Sequence, residues 1–437
     1  MPRSVYRAPL YRRLLPWGFA LVFVTVAPIL IFWTAGYRIN PKKITIERNG
    51  TLIVDSQPGG ARIVLNGQLQ RRVTPSTIQD VAPGPYTLRL ERDGFSTWEK
   101  TLEIRSEQVT FADHVRLWRL GETQLLIEGN ALAIESDPDQ AVAAAVIAST
   151  TTADIRYVRN GTVSDRFAPS GLSTSTAPEL VWNEAGNALL ADYDSAEGRD
   201  AWISTDVLGP GQGSLQAADY TWNGSLLVSQ EDGMRTVINT RRETLERDLL
   251  PDGVTAESDA FDLVVNTSTG AMVLRPRSIL RRLYSLPSGD WVLAGDEGPY
   301  TLLRTDNRWL AIKPNGEPES GIATGQRPRW NTEGRAPRAL LVNDNELWMW
   351  TPGTAPQLLL RQSERFVDAV WHRDGYHAFV ATKDRVFAIE LDDRSGHVMT
   401  DLVTGFESIN GVAYAGDSLY IAGRRNGADG LYRRVIE

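Results

Sequence analysis

The chain has 437 residues, with 46 Lys and Arg against 54 Asp and Glu, 42% hydrophobic residues and no cysteine. That balance excludes a disordered chain and a polytopic membrane protein. Without cysteine it has no disulfide, no cysteine-held zinc or iron–sulfur centre, no thiol nucleophile and no lipid joined through a thiol.

Charge is spread unevenly. Residues 1–50 carry eight cations against one anion, Glu47, and 51–118 carry eight of each. The remainder, 119–437, carries 30 cations against 45 anions. So acidic a region is repelled by phosphate backbones, and no nucleic-acid partner is expected.

From Leu14 to Tyr37 no residue is charged. In helix this run predicts about 36 Å, enough for a hydrocarbon core of roughly 30 Å. Trp17 and Phe19 near one end, with Phe32, Trp33 and Tyr37 near the other, suit an interfacial belt. The run exceeds the apolar stretch of a cleaved signal peptide, so an uncleaved signal-anchor is expected. Arginines before it and Arg38, Lys42, Lys43 and Arg48 after it leave the positive-inside rule nearly balanced. The large acidic body that follows favours a cytoplasmic tail at 1–13, a single transmembrane helix at 14–37, a linker at 38–49 and the bulk outside the cytoplasm.

Residues 50–118 read as a small β-sandwich of five or six short strands. Apolar alternation in 51–56, 61–65, 86–91 and 101–104 is broken by Pro58-Gly59-Gly60-Ala61, Asn66-Gly67, Thr74-Pro75 and Pro83-Gly84-Pro85. The spaced set Leu52, Val54, Ser56, Pro58, Gly60-Ala61, Leu65-Asn66-Gly67, Thr74-Pro75, Pro83-Gly84, Tyr86, Gly94-Phe95 and Trp98 resembles the PEGA domain of bacterial envelope and surface proteins. Gly59 stands where that pattern has Glu, and Arg72 where it often has Gly. The resemblance implies a spacer or attachment module without catalysis. Trp98 is expected in the core rather than as a carbohydrate platform.

In 119–437 one pattern recurs: an aromatic residue, a polar turn with Gly or Asp, then an apolar strand. It starts at Trp182, Trp222, Trp330, Trp371 and Tyr414, with weaker copies at Ser136 and Tyr284. Starts 40–62 residues apart, each with several strands, predict a β-propeller. Seven blades are expected, with six or eight allowed and a further degenerate copy near Phe261. WNEAG at 182–186 and WHRDG at 371–375 resemble the turns of WD40-like bacterial periplasmic propellers of the TolB family. Each tryptophan is expected to wedge between blades, and each turn to lead into the innermost strand.

Reactive chemistry is scarce. His372 and His377 flank the Asp374-Gly375 turn without forming an HExxH helix, and read as exposed turn residues. Asp192, Asp194, Glu197 and Asp200 lack the glycine of a calcium loop; Asp137/Asp139 and Asp344/Glu346 read as turn residues. No GxSxG elbow, P-loop or dinucleotide fingerprint occurs. Asn49, Asn160, Asn223 and Asn266 match the glycosylation pattern, three of them in Asn-Gly turns. No catalytic, cofactor-binding or metal residue is assigned, no binding residue is singled out, and no cofactor is expected.

The leading expectation is a membrane-anchored binding or scaffold protein, not an enzyme, whose propeller presents a surface to an envelope protein or glycan. The alternatives are an envelope sensor acting through a membrane partner, and a propeller lyase or glycosidase built from residues that distant blades bring together.

Overall fold

The computed structural model describes residues 10–34, 37–40, 45–137, 139, 141–164, 166–195, 198–204, 212–215, 220–266, 269–278, 282–297, 299–331 and 337–437. Of these, residues 10–14, 32–33, 37–40, 45–48, 195, 198–199, 212–214 and 231 are described by backbone alone. The chain divides into two units, residues 1–118 with 393–398, and 119–392 with 399–437.

A helix runs over Leu10–Thr34, with Pro16 in its early turns and Pro28 deeper. From 15 to 31 its side chains are exposed, save a half-buried Ala27. The expected transmembrane helix is not shown: among the described residues, no helix is long and apolar enough to cross a membrane. Most of the expected tail, residues 1–9, lies outside the described residues.

Residues 50–116 form two facing sheets. Strands Ser76–Val81, Gly50–Gln57 and Val109–Arg116 make one, the last two parallel; Gln68–Val73, Arg62–Leu65, Gly84–Glu91 and Trp98–Ile104 make the other. Seven strands form, one or two more than the apolar alternation alone marks. Between the sheets lie Leu52, Val54, Ile63, Leu88, Leu90, Leu102 and Ile104, and Trp98 is buried among them rather than presented to solvent. Thr74 explains its place in the pattern. Its hydroxyl accepts from the Ala61 amide at 2.9 Å and lies 2.6 Å from the Ser56 hydroxyl, so the proline–glycine turn is tied to the next strand pair. At the tight hairpin Asn66 and Gly67 both take positive φ, 48° and 78°, which the Asn-Gly pair tolerates.

Among the described residues, the strands from Gln124 to Val435 form eight four-stranded antiparallel sheets, a β-propeller of eight blades. Seven take their strands consecutively. The first strands are Asn130–Ser136, Glu179–Trp182, Tyr220–Asn223, Val254–Glu257, Val292–Glu297, Arg329–Asn331 and Phe366–Trp371 for blades 1 to 7. Blade 8 has Ser408–Ala415, Ser418–Arg425 and Ala428–Val435, and its fourth strand is Gln124–Glu128, from before blade 1. This pairing closes the ring and removes two free sheet edges. First strands of neighbouring blades touch (130–136 with 179–182 and 408–415, and 366–371 with 329–331 and 408–415), so they line the axis.

The count of seven is corrected to eight. The degenerate copy near Phe261 is a blade of its own, blade 4, while Tyr284 sits in that blade's outermost strand and opens nothing. The repeat also starts one strand earlier than expected. Trp182 and Trp371 end innermost strands, and the turn after each leads into the second strand. Blades 4 and 5 were obscured because their first hairpins carry Glu257 and Asp296-Glu297 where blades 2, 3, 6, 7 and 8 carry an aromatic residue.

The tryptophans do join blades. The Trp222 indole donates to the Val181 carbonyl of blade 2 at 2.9 Å, and Trp371 donates to the Arg329 carbonyl of blade 6 at 2.7 Å. Asn410 of blade 8 donates to the Ala131 carbonyl of blade 1 at 2.9 Å. Trp330 holds the corresponding place in blade 6, but among the described residues its indole nitrogen has no partner. Trp371→Phe should therefore lower propeller stability by about 1–2 kcal/mol, the worth of a buried hydrogen bond with a stranded carbonyl. Trp330→Phe should cost measurably less, with both read by thermal and urea unfolding.

Candidate functional site

Eight first strands converge on one axis and bring their polar ends with them. Two arginines, Arg327 and Arg329, flank Pro328 at the entrance to blade 6, and an extended chain points alternate residues the same way. Arg327 donates to Glu179 of blade 2 at 2.8 Å and to Glu297 of blade 5 at 3.3 Å. Arg329 pairs with Glu135 of blade 1 and lies 3.5 Å from Asp368 of blade 7. Asp368 is fixed in turn by the amides of Ala369 and of Val412 in blade 8, at 2.9 and 3.2 Å. Six blades are thus linked through two guanidiniums.

Beside these struts is a cavity of about 280 Å³. Its wall includes Glu135, Asp137, Asp139, Glu184, Asp296 and Glu297, three arginines (Arg327, Arg329, Arg373), and the indoles of Trp182, Trp330 and Trp371. Carboxylates outnumber cations, and the cations are engaged: Arg327 and Arg329 as above, Arg373 with Glu437. Among the described residues, no cation lies within ion-pair distance of Asp137, Asp139, Glu184 or Asp296. A second cavity of about 160 Å³, with Trp222, Trp291 and Leu293 in its wall, shares Arg327 with the first.

Burial pushes the Asp137 carboxyl up, although the Val142 and Ala141 amides that it accepts work against this. Burial also raises Asp296, opposed by the Thr301 hydroxyl at 2.6 Å and reinforced by Asp259 and Glu184. Glu297 is raised by burial too, with Arg327 pulling the other way. For Arg327, burial opposes the charge, yet Glu179 and Glu297 more than offset it and hold the guanidinium firmly protonated. Three carboxyls at the mouth of the channel are thus shifted toward their protonated form.

His372, Asp374 and His377 lie together at the first hairpin of blade 7, with ligand atoms all within 4.8 Å. The expectation of exposed turn histidines is corrected, since both are buried. Each Nδ1 is 2.9 Å from the same Asp374 oxygen, and His372 Nε2 is 2.7 Å from Glu437. His372 also packs on Tyr414 at 5.0 Å between ring centres. Donor types would suit a divalent ion, but the hydrogen bonds by themselves account for this geometry: the cluster latches blade 7 to blade 8 and to Glu437. Against the cost of burial, His372 and His377 hold the Asp374 carboxyl well below the usual carboxylate range.

Of the other acidic residues picked from sequence, Asp137 and Asp139 line the larger cavity, whereas Asp344 is an exposed turn residue beside Arg365. Asp192 lines the smaller cavity; Asp194 and Asp200 sit in paired strands rather than a closed loop, and Glu197 lies outside the described residues. Sequence reading passed over Arg327, Arg329, Asp296, Glu297 and Asn331. The only signals were the Arg-Pro-Arg run and the acids that replace an aromatic in blade 5.

Residues 49–115 match the PEGA domain family. No curated protein sequence matches the chain. Similar solved structures include the C-terminal WD40 domain of Sif2, at 14% identity over 71% of this chain and 97% of that one, TM-score 0.45. The Dos1 propeller gives 11% identity over 72% and 95%, TM-score 0.44. The Cps50 (Swd1) β-propeller domain of Myceliophteria thermophila gives 11% over 72% and 99%, TM-score 0.43. These likenesses are too distant to carry function; the propeller here is read from its own eight sheets.

The two directions of shift predict opposite stability effects. Asp374 is depressed on folding, so its stabilisation is complete above the ordinary carboxylate pKa and is lost as pH falls below it. Asp374→Asn should cost about 3 kcal/mol at pH 7 and flatten the acid limb of the stability curve. Asp137 is raised, so folding favours its protonated form, and stability from this group grows as pH falls through its folded value. Asp137→Asn keeps the acceptor oxygen and should raise Tm at pH 7, checked by differential scanning calorimetry from pH 4 to 8.

Proposed function

We propose that this protein is a non-catalytic binding or scaffold protein of the cell envelope. Its PEGA unit acts as a spacer and its propeller presents the channel mouth to a partner. The coarser part of this reading follows from architecture, since a PEGA domain joined to a β-propeller suits protein interaction or scaffolding. The observation that carries the rest is the larger cavity, walled by side chains from blades 1, 2, 5, 6 and 7, which is where propellers assemble binding sites from many loops.

The finer part is membrane anchorage with the bulk outside the cytoplasm. Trp17, Phe19, Phe23 and Ile29 are all more than two-thirds exposed, and so much apolar surface in water is unfavourable. The uncharged run in the sequence, Leu14 to Tyr37, extends beyond the side chains that are described and supports a single span. Acidity of the propeller region argues against nucleic acid as a partner.

The test is affinity capture from detergent extracts of carbonate-washed membranes, comparing the full chain with one ending at residue 118. The full chain should stay in the washed membranes and bring down partners that the shorter chain lacks. Recovery of the full chain in the soluble fraction would overturn the anchor. Identical partners for both chains would overturn the propeller's role.

A further inference from the structure

The first hairpin of blade 7 carries a second kind of chemistry. His372 follows the innermost strand, His377 opens the next one, and Asp374 sits in the turn between them. The turn brings both imidazoles onto one carboxylate: His372 Nδ1 and His377 Nδ1 each lie 2.9 Å from Asp374 Oδ2. All three donor atoms fall within 4.8 Å of one another. Metal–ligand bonds of about 2.0–2.2 Å place neighbouring donors about 2.9–3.5 Å apart, so only small movements let one ion touch all three.

The surrounding bonds hold those atoms in aim. The amides of Tyr376 and His377 donate to Asp374 Oδ1, at 2.8 and 3.1 Å, which leaves Oδ2 turned to the imidazoles. The Asp374 amide donates to His372 Nδ1 at 3.2 Å. In the neutral ring that nitrogen therefore carries the lone pair, and the proton sits on Nε2, held by Glu437 Oε1 at 2.7 Å. An imidazole whose far N–H is fixed by a carboxylate is the arrangement that orients a metal-binding histidine and raises its basicity. Glu437 is held in turn by the Tyr414 hydroxyl and by Arg373. Hydrogen bonds keep the group together without an ion, and the same atoms are placed to exchange their shared protons for one. The Asp374 side chain is 21% exposed, so an ion can enter from the turn, while both histidines are shielded from water.

Two imidazoles and one carboxylate favour zinc over calcium or magnesium, which take oxygen ligands. We propose that His372, Asp374 and His377 form a binding site for a zinc-like divalent ion, held by His372 Nδ1, His377 Nδ1 and Asp374 Oδ2, with Glu437 as the outer carboxylate. Bound there, the ion tightens the latch between blades 7 and 8, independently of what the channel mouth binds.

The experiment is titration of the EDTA-treated, detergent-solubilised full chain with zinc chloride, read by calorimetry and thermal unfolding, with X-ray absorption of the zinc-loaded protein. One zinc per chain should bind, raise Tm and show two imidazoles in its inner shell, whereas calcium and magnesium chlorides should neither bind there nor raise Tm. His377→Gln and Asp374→Asn should lose this uptake, and Glu437→Gln should weaken it about 10–100-fold. His114→Gln, at an exposed histidine beside Asp113, should leave it unchanged. Should a variant unfold, the inner-shell spectrum of the unaltered chain still decides. No zinc uptake, an inner shell with fewer than two imidazoles, or displacement by equimolar calcium would overturn the proposal. So would uptake unchanged by His377→Gln or Asp374→Asn, or weakened equally by His114→Gln. Uptake unchanged by Glu437→Gln would overturn the outer carboxylate.

Discussion

The last of the eight sheets is completed by the first strand of the ring. Here Gln124–Glu128 pairs antiparallel with Ala428–Val435, so residues some three hundred positions apart hold the circle shut. Cross-strand amides supply the bond, and the burial of Leu431, Ile127, Ala422 and Tyr420 in one cluster with Ala131 and Ile147 of blade 1 supplies the hydrophobic reinforcement. With that seam in place, the first strands of blades 2, 1, 8, 7 and 6 pack in one run, and that of blade 5 packs on those of blades 3 and 4. Their polar side chains meet around the larger cavity.

The consequence is electrostatic. Carboxylates projecting into the axis would repel one another, and Arg327 and Arg329 relieve part of this by bridging Glu179 to Glu297 and Glu135 to Asp368. Arginine suits the task, since its planar fork can serve two carboxylates at once and stays charged when partly desolvated. The relief is incomplete. Asp137, Asp296 and Glu297 still resist ionisation in the folded protein. Residues shifted this way weaken the fold at neutral pH. The opposite sign at Asp374, where two imidazoles stabilise the carboxylate, shows that the same fold can also hold a buried acid in its charged form.

The architecture was largely legible because it is written in local signals. Turn pairs such as Asn66-Gly67 and the aromatic-turn-strand repeat depend on residues close in sequence, and they delivered the sandwich and the propeller. Blade number was less so. Blades 4 and 5 break the repeat at Glu257 and Asp296-Glu297, and the copy at Tyr284 imitates a start from an outermost strand. The histidines show the limit most clearly: His372 and His377 sit beside an Asp-Gly turn, which predicts exposure, yet packing against Tyr414 and Glu437 of the next blade buries them. The candidate site was out of reach for the same reason. Asp137, Glu184, Asp296 and Asn331 are far apart in the chain, and only ring closure puts them around one cavity.

Hydrogen exchange of the full chain measures that closure directly. If the seam holds the ring, amides in 124–128 and 428–435 should exchange together, as slowly as the central strands of blades 7 and 8 and with the same denaturant dependence. Fast, independent exchange of 124–128 beside a protected 428–435 would mean an open ring, and the convergence of charges at its axis would lose its cause.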